Sequence, residues 1–210
     1  MTAHPLEGEL EVLAPFLCPE LQLWLLPPSA RSWHATDPDS LDMPYWAFAW
    51  PGGQALARYL LDHPERVRGK RVLDFGSGCA LEGIAAAKAG AQVLCADIDP
   101  LAARFAQRNA ALNDVQLEDT SRDLIGTQPQ ADVILAGDAC YAPELAARLL
   151  PWLEAQARRG VLVLVGDPLR VPGALEHAQR LATYAASFDG DPRGLTVWPT
   201  HVLEITSPAL

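Results

Sequence analysis

From residue 70 onward, apolar positions fall into short continuous runs separated by segments of helical period. Arg71-Val72-Leu73-Asp74-Phe75 is the first run, and Ala91 to Asp99 holds the second. Val115 to Ser121 is a third, weaker run; Ala131 to Asp138 is a fourth, nearly all apolar; Val161 to Asp167 is a fifth. Runs that are apolar without alternation predict strands buried on both faces. Between them lie Ala80 to Gly90, Pro100 to Asn113 and Pro143 to Gly160, each rich in helix formers. Gly90 closes the first, Pro100 opens the second at a favourable first-turn position, and Pro151 is placed to kink the third. Alternating β and α units imply a parallel sheet with helices on both sides. The tail breaks the rhythm: Thr183 to Asp189 and Leu195 to Ile205 are β-like, joined by Gly190-Asp191-Pro192-Arg193-Gly194, which has turn chemistry. This predicts an antiparallel hairpin that completes a sheet of seven strands.

Upstream, Leu21 to Leu26 reads as a short strand stopped by Pro27 and Pro28, and Ser29 to Pro44 as loop. Pro51 begins a helix whose Leu56, Tyr59 and Leu60 keep one face until Pro64. With 210 residues the chain can bury a full core, and half of them being hydrophobic excludes a mostly disordered chain. The formal charge of −10 argues against nucleic-acid binding and against a polybasic membrane anchor. It suits a small molecule, or a basic segment of another protein. Cys18, Cys79, Cys95 and Cys140 form no CxxC pair and lie apart from His, as small buried hydrophobes of a reducing compartment do. The start of the chain lacks the charge and hydropathy pattern of a signal peptide, and no apolar stretch reaches membrane-spanning length. These features predict a cytoplasmic protein with no membrane partner.

Candidate chemistry begins after the first strand, at Asp74-Phe75-Gly76-Ser77-Gly78-Cys79-Ala80. Gly76 and Gly78 permit a tight turn and a close approach of backbone to a ligand. Leu81 stands where a pyrophosphate-binding loop has its third glycine, and no GK[ST] follows, so a diphosphate is not the expected ligand. Asp74, two residues before the glycines, would repel one and suits a ligand with a positive end, such as S-adenosylmethionine. Asp97, at the end of the second strand, is spaced to accept both ribose hydroxyls, with Asp99 the better candidate for a helix cap.

These residues resemble the class I S-adenosylmethionine-dependent methyltransferases, with Ala80 in place of a frequent glycine. Three further segments are similar to the lysine-targeting, seven-β-strand members of that group. They are Asp138-Ala139-Cys140-Tyr141, the Trp50-Pro51-Gly52-Gly53 segment, and Gly166-Asp167-Pro168-Leu169-Arg170 with the later Gly194-Leu195-Thr196-Val197-Trp198. Together they resemble the electron transfer flavoprotein β-subunit lysine methyltransferase family over roughly residues 43–205. The resemblance implies a doubly wound, Rossmann-like sheet, mostly parallel with an antiparallel C-terminal hairpin. It divides the chain into an N-terminal extension, 1–45, and a methyltransferase domain, 46–210. It implies a protein-lysine N-methyltransferase that uses S-adenosyl-L-methionine, with the electron transfer flavoprotein β subunit as partner. A small-amine methyltransferase acting on a nicotinamide-like substrate is the alternative, and a non-catalytic cofactor-binding module a third.

Asp138, at the carboxyl end of the fourth strand, is expected to lie by the cofactor's methionine end and to orient the amine; it would also favour the charged ammonium. Tyr141 would supply an aromatic wall and cation–π stabilisation. Trp50 is a candidate to pack on the cofactor, whereas Trp46 is more readily a core residue. Asp123 is the candidate acceptor for the adenine amine, with Asp119 second. Asp167 and Arg170 either touch substrate or pair with each other. His34, His63, His177 and His201 are scattered, and the GxSxG of a nucleophilic hydrolase is absent.

Overall fold

The computed structural model describes residues 5–30, 44–188 and 196–206. Two short strands, β1 (Glu11–Leu13) and β2 (Leu23–Leu25), pair antiparallel. There follow α1 (Pro51–Asp62), β3 (Arg71–Phe75), α2 (Leu81–Lys88), β4 (Gln92–Ala96), α3 (Pro100–Leu112) and β5 (Glu118–Thr120). Then come β6 (Val133–Gly137), α4 (Pro143–Arg158), β7 (Leu162–Asp167), β8 (Gln179–Ser187) and β9 (Val197–Ile205). The expected leading strand is thus half as long as its apolar run, and its partner β1 went unrecognised because three residues carry little pattern.

The main sheet has seven strands in the order β5-β4-β3-β6-β7-β9-β8. Every neighbouring pair is parallel except β7 with β9 and β8 with β9. The antiparallel C-terminal hairpin is therefore as expected, and its last strand lies inside the sheet, between β7 and β8. Its predicted turn lies outside the described residues, as does most of the loop expected between Ser29 and Pro44. Pro199 is tolerated within β9 because β7 ends at the level of His201, so no β7 partner is left without a donor.

The uninterrupted strands serve two cores by parity. Val72, Val133, Leu135 and Leu164 face Leu56 and Leu60 of α1 and Ile84 of α2. Leu73, Ile134, Val163 and Val165 face Leu149 and Leu153 of α4. Leu21, Leu23 and Leu25 join the first cluster, so the N-terminal segment is packed on the same core. Helix α4 runs through Pro151, as helices held by tertiary packing can. All four cysteines are free and buried.

Between β3 and β6 the crossovers diverge, one to each side, and this opens a crevice at the carboxyl ends of the strands, where ligands bind in open α/β sheets. Helix α1 aims its amino terminus at the same place. Gly52 lies so close to Gly166 of β7 that a Cβ on either would collide with the other's carbonyl oxygen.

Candidate active site

The crevice holds a cavity lined by Phe48, Trp50, Gly53, Ser77, Glu82 and Gly137, floored by Gly76 and Gly78. A wider depression, lined by Arg71, Asp132 and Arg159 among others, lies at the amino ends of the strands, the wrong end for ligand binding in this architecture.

The glycine loop forms the cavity floor because its backbone is left-handed at three of five positions. Gly76 has φ +66°, Gly78 +48° and Ala80 +61°. The first two conformations cost glycine little; at Ala80 the methyl group bears a steric cost, which explains why glycine is frequent there. The loop is held from below by Gly76 N–H to Ala96 O (2.8 Å) and by Asn109 Nδ2–H to Cys79 O (2.9 Å). Asp97 accepts from Gly78 N–H and from Asp99 N–H, both at 2.9 Å, one on each carboxylate oxygen. Each oxygen keeps a lone pair for a further donor. Asp99 accepts from Leu101 N–H at 2.8 Å and caps α3, as expected.

Asp74 lies beneath the loop rather than on the cavity wall. It is fully buried; Oδ2 accepts from Gly83 N–H at 2.9 Å, and Oδ1 has no protein partner. Burial pushes its carboxyl up to about 7. Asp123 does not line the cavity either. It is exposed, accepts from Ile125 N–H at 3.0 Å and pairs with Arg148 at 3.1 Å. Asp119 accepts from Gln107 Nε2 at 2.7 Å.

Asp138 sits where β6 ends, in a left-handed conformation (φ +50°) that turns its carboxylate back toward α1. Oδ2 accepts from the N–H groups of Gly52 and Gly53, in the first turn of that helix, and Oδ1 accepts from the Arg170 guanidinium. The carboxylate therefore meets the positive end of a helix and a cation together. Burial raises its pKa, and Arg170 and the two N–H groups oppose the rise. Asp167 and Arg170 are not side-chain partners: Asp167 accepts from the backbone N–H groups of Leu169 and Arg170, while the guanidinium reaches across to Asp138.

Aromatic rings wall the opening. Trp50 donates its indole N–H to Tyr45 O at 2.9 Å and stacks on Phe188 at 4.6 Å. Tyr45 in turn stacks on Tyr141 at 5.6 Å. Tyr141 is 49% exposed, so it stands at the rim. Trp46 is buried and stacked on Phe105 at 4.2 Å, a core role as expected. The fold thus brings Trp50, Gly76, Gly78, Asp97, Asp138 and Tyr141 around one crevice, with Asp74 under it and Asp123 apart.

Sequence reasoning missed Glu82. This residue projects from the first turn of α2 into a slot that exists because positions 53 and 137 lack a Cβ; at Gly137 a Cβ would collide with Glu82 Oε1. Burial, then Asp74, push its carboxyl well above the usual range. An acid in a helix's first turn reads as an ordinary dipole partner, and only the small residues at 53 and 137 hint otherwise. Ser77 Oγ, buried in the cavity lining, has no protein partner. Acids and an orphan hydroxyl, with no cation among the described residues of the lining, fit a ligand that is cationic and without phosphate.

The family of ribosomal protein L11 methyltransferases (PrmA) matches residues 55–139. The electron transfer flavoprotein beta subunit lysine methyltransferase of Xenopus laevis is 44% identical over 182 residues, covering 81% of this chain and 73% of its own. That of Rattus norvegicus is 41% identical over 199 residues, covering 88% and 78%. Among solved structures, the Thermus thermophilus 16S rRNA N2 G1207 methyltransferase in complex with S-adenosylmethionine and guanosine superposes with a TM-score of 0.61. It is 17% identical, covers 99% of this chain and 53% of its own, and so shares the fold.

Proposed function

The chain belongs to the electron transfer flavoprotein β subunit lysine methyltransferase family, and on that premise we propose that it methylates lysine side chains of that flavoprotein subunit. The cofactor is S-adenosylmethionine. The observation that carries the reading is the position of Asp138: a carboxylate fixed at the sheet's switch point, between the cofactor cavity and an aromatic opening.

Asp97 would hold the ribose, Gly76 and Gly78 would let the backbone approach it, and Glu82 and Ser77 would face the cationic methionine end. When bound, the cofactor supplies a sulfonium methyl group whose carbon–sulfur bond breaks, with its electron pair kept by sulfur, as the amine nitrogen bonds to carbon. The protein's task is to bind, align and dehydrate. Trp50, Tyr45 and Tyr141 form a sleeve that strips water from a long aliphatic side chain and favours positive charge developing on its nitrogen. Asp138 orients the amine by accepting its N–H. The acidic surface complements a basic lysine-bearing loop, and the four buried thiols suit the cytoplasm.

Labelled S-adenosylmethionine incubated with the enzyme and purified electron transfer flavoprotein, followed by peptide mapping, tests the reading. Label on lysines of the β subunit is expected. Label that enters nicotinamide or another small amine while the flavoprotein stays unlabelled would replace this reading with the small-molecule alternative.

A further inference from the structure

A lysine amine must be neutral to accept a methyl group, yet its ordinary pKa is ~10.4. An opposite charge within hydrogen-bonding reach raises that value by ~1–3 units, so a bare carboxylate at Asp138 would trap the substrate as ammonium. The structure shows that this carboxylate is not bare. Arg170 meets it on Oδ1, leaving the α1 amides on Oδ2.

The pairing is built with care. Leu169, just before Arg170, has φ +63°, a conformation rare for a leucine. Asp167 fixes the same turn by accepting the N–H groups of Leu169 and Arg170. The guanidinium lies 6.0 Å from the Trp50 ring and 5.7 Å from the Trp198 ring, so one aromatic of the opening and one from β9 guide it. Two left-handed non-glycine residues, Asp138 and Leu169, thus stand one on each side of the ion pair. Among the described residues, Glu82 from α2, Asp167 from β7 and, in the same loop, Cys140 also feel the charge of Asp138, and none of these three is a cation.

We propose that Arg170 is a positioning residue that neutralises Asp138, so that an amine entering past Trp50 meets an ion pair able to accept an N–H bond without holding the amine protonated. The amine's own proton leaves to water at the exposed rim beside Tyr141. The proposal deepens the lysine reading and rests on it. It assigns Arg170 a role in setting the protonation state of the substrate, where the sequence offered only contact or pairing with Asp167.

The test is the pH dependence of kcat, which reports groups in the bound complex, at saturating electron transfer flavoprotein and cofactor. Arg170→Gln is expected to move the rising limb upward by at least about one pH unit. That lowers kcat about tenfold near pH 7.5, with recovery above pH 9.5. Arg170→Lys keeps the charge and should retain the parental midpoint. The double variant Asp138→Asn with Arg170→Gln holds no unpaired charge; its midpoint should return to the parental value even though its maximal rate is lower. Circular dichroism establishes that each variant is folded, and the double variant carries the test if Arg170→Gln is not. A uniform loss of rate at every pH in Arg170→Gln, or a double variant still shifted upward, overturns the proposal and leaves Arg170 as a prop for the loop. Parental enzyme inactive on the flavoprotein at all pH values would instead overturn the lysine reading.

Discussion

Gly52→Ala tests the packing that delivers Asp138 to the site. In an exposed helix the change would stabilise by ~1 kcal/mol, because alanine is the better helix former. Here the added Cβ would stand 2.7 Å from Asp138 N, and closer still to the Gly166 carbonyl oxygen. Both of these are backbone atoms and, unlike the Asp138 Oδ2 that also lies 2.5 Å from the Cβ, cannot swing aside; helix and strand must part. Overpacking of this kind costs ~1–3 kcal/mol or more. Separation also stretches the N–H donation from Gly52 to the buried carboxylate of Asp138, a hydrogen bond to a charged group worth ~1.5–3 kcal/mol. Offsetting the helix gain, we expect a net loss of ~2–5 kcal/mol in urea denaturation. We also expect kcat to fall in the folded fraction, with cofactor affinity less affected. Gly8→Ala is the control, since a Cβ there meets nothing within 4 Å. A Gly52→Ala protein with parental stability and parental kcat would refute the account of how α1, β7 and Asp138 lock together.

Three other outcomes are expected. Asp97→Asn places an NH₂ against one of two N–H donors; by calorimetry, S-adenosylmethionine should bind ~10–100-fold more weakly with little change in fold, and an unchanged Kd would remove Asp97 from ribose binding. Asp74, with its carboxyl near 7 when folded, holds its proton more tightly in the native than in the unfolded chain. It therefore makes stability fall as pH rises from about 4 to about 7. Asp74→Asn should flatten that part of the stability–pH curve, and an unaltered slope would contradict the assignment. The native protein should react slowly with a thiol reagent and release four equivalents on unfolding, while rapid reaction in the native state would contradict the burial of the cysteines.

Much of the fold was legible because doubly wound sheets announce themselves locally. Continuous apolar runs such as Val133 to Ala136 need no partner in view to be read as buried strands. The glycine loop and the placement of Asp97 against it were legible for a similar reason, since both follow from a strand end and a spacing. What was hidden depends on distance in the chain. The bond from Arg170 to Asp138 spans 32 residues, and the competing local partner, Asp167, was the natural guess. Glu82 was hidden because its meaning lies in two glycines on other elements. Asp123 is the reverse case: a loop acid near the right strand drew attention as a ligand acceptor, and the fold places it at the surface beside Arg148.

The placement of β9 bears on how this protein is made. It is the last strand of the described residues and follows β7 and β8 in the chain, yet it is interior to the sheet, and its Val202 is fully buried in the main core. While the chain grows on the ribosome, β7 therefore waits as an open edge and β8 has no partner to join. Such edges invite unwanted pairing with other chains. The loop that presents Arg170 hangs from that unfinished edge, and Trp198 arrives with β9 itself. Assembly of the crevice's Arg170 side should thus await the emergence of β9. Shortening the chain into β9 would leave the β5-β4-β3-β6-β7 portion without the strand that brings Trp198 to Arg170.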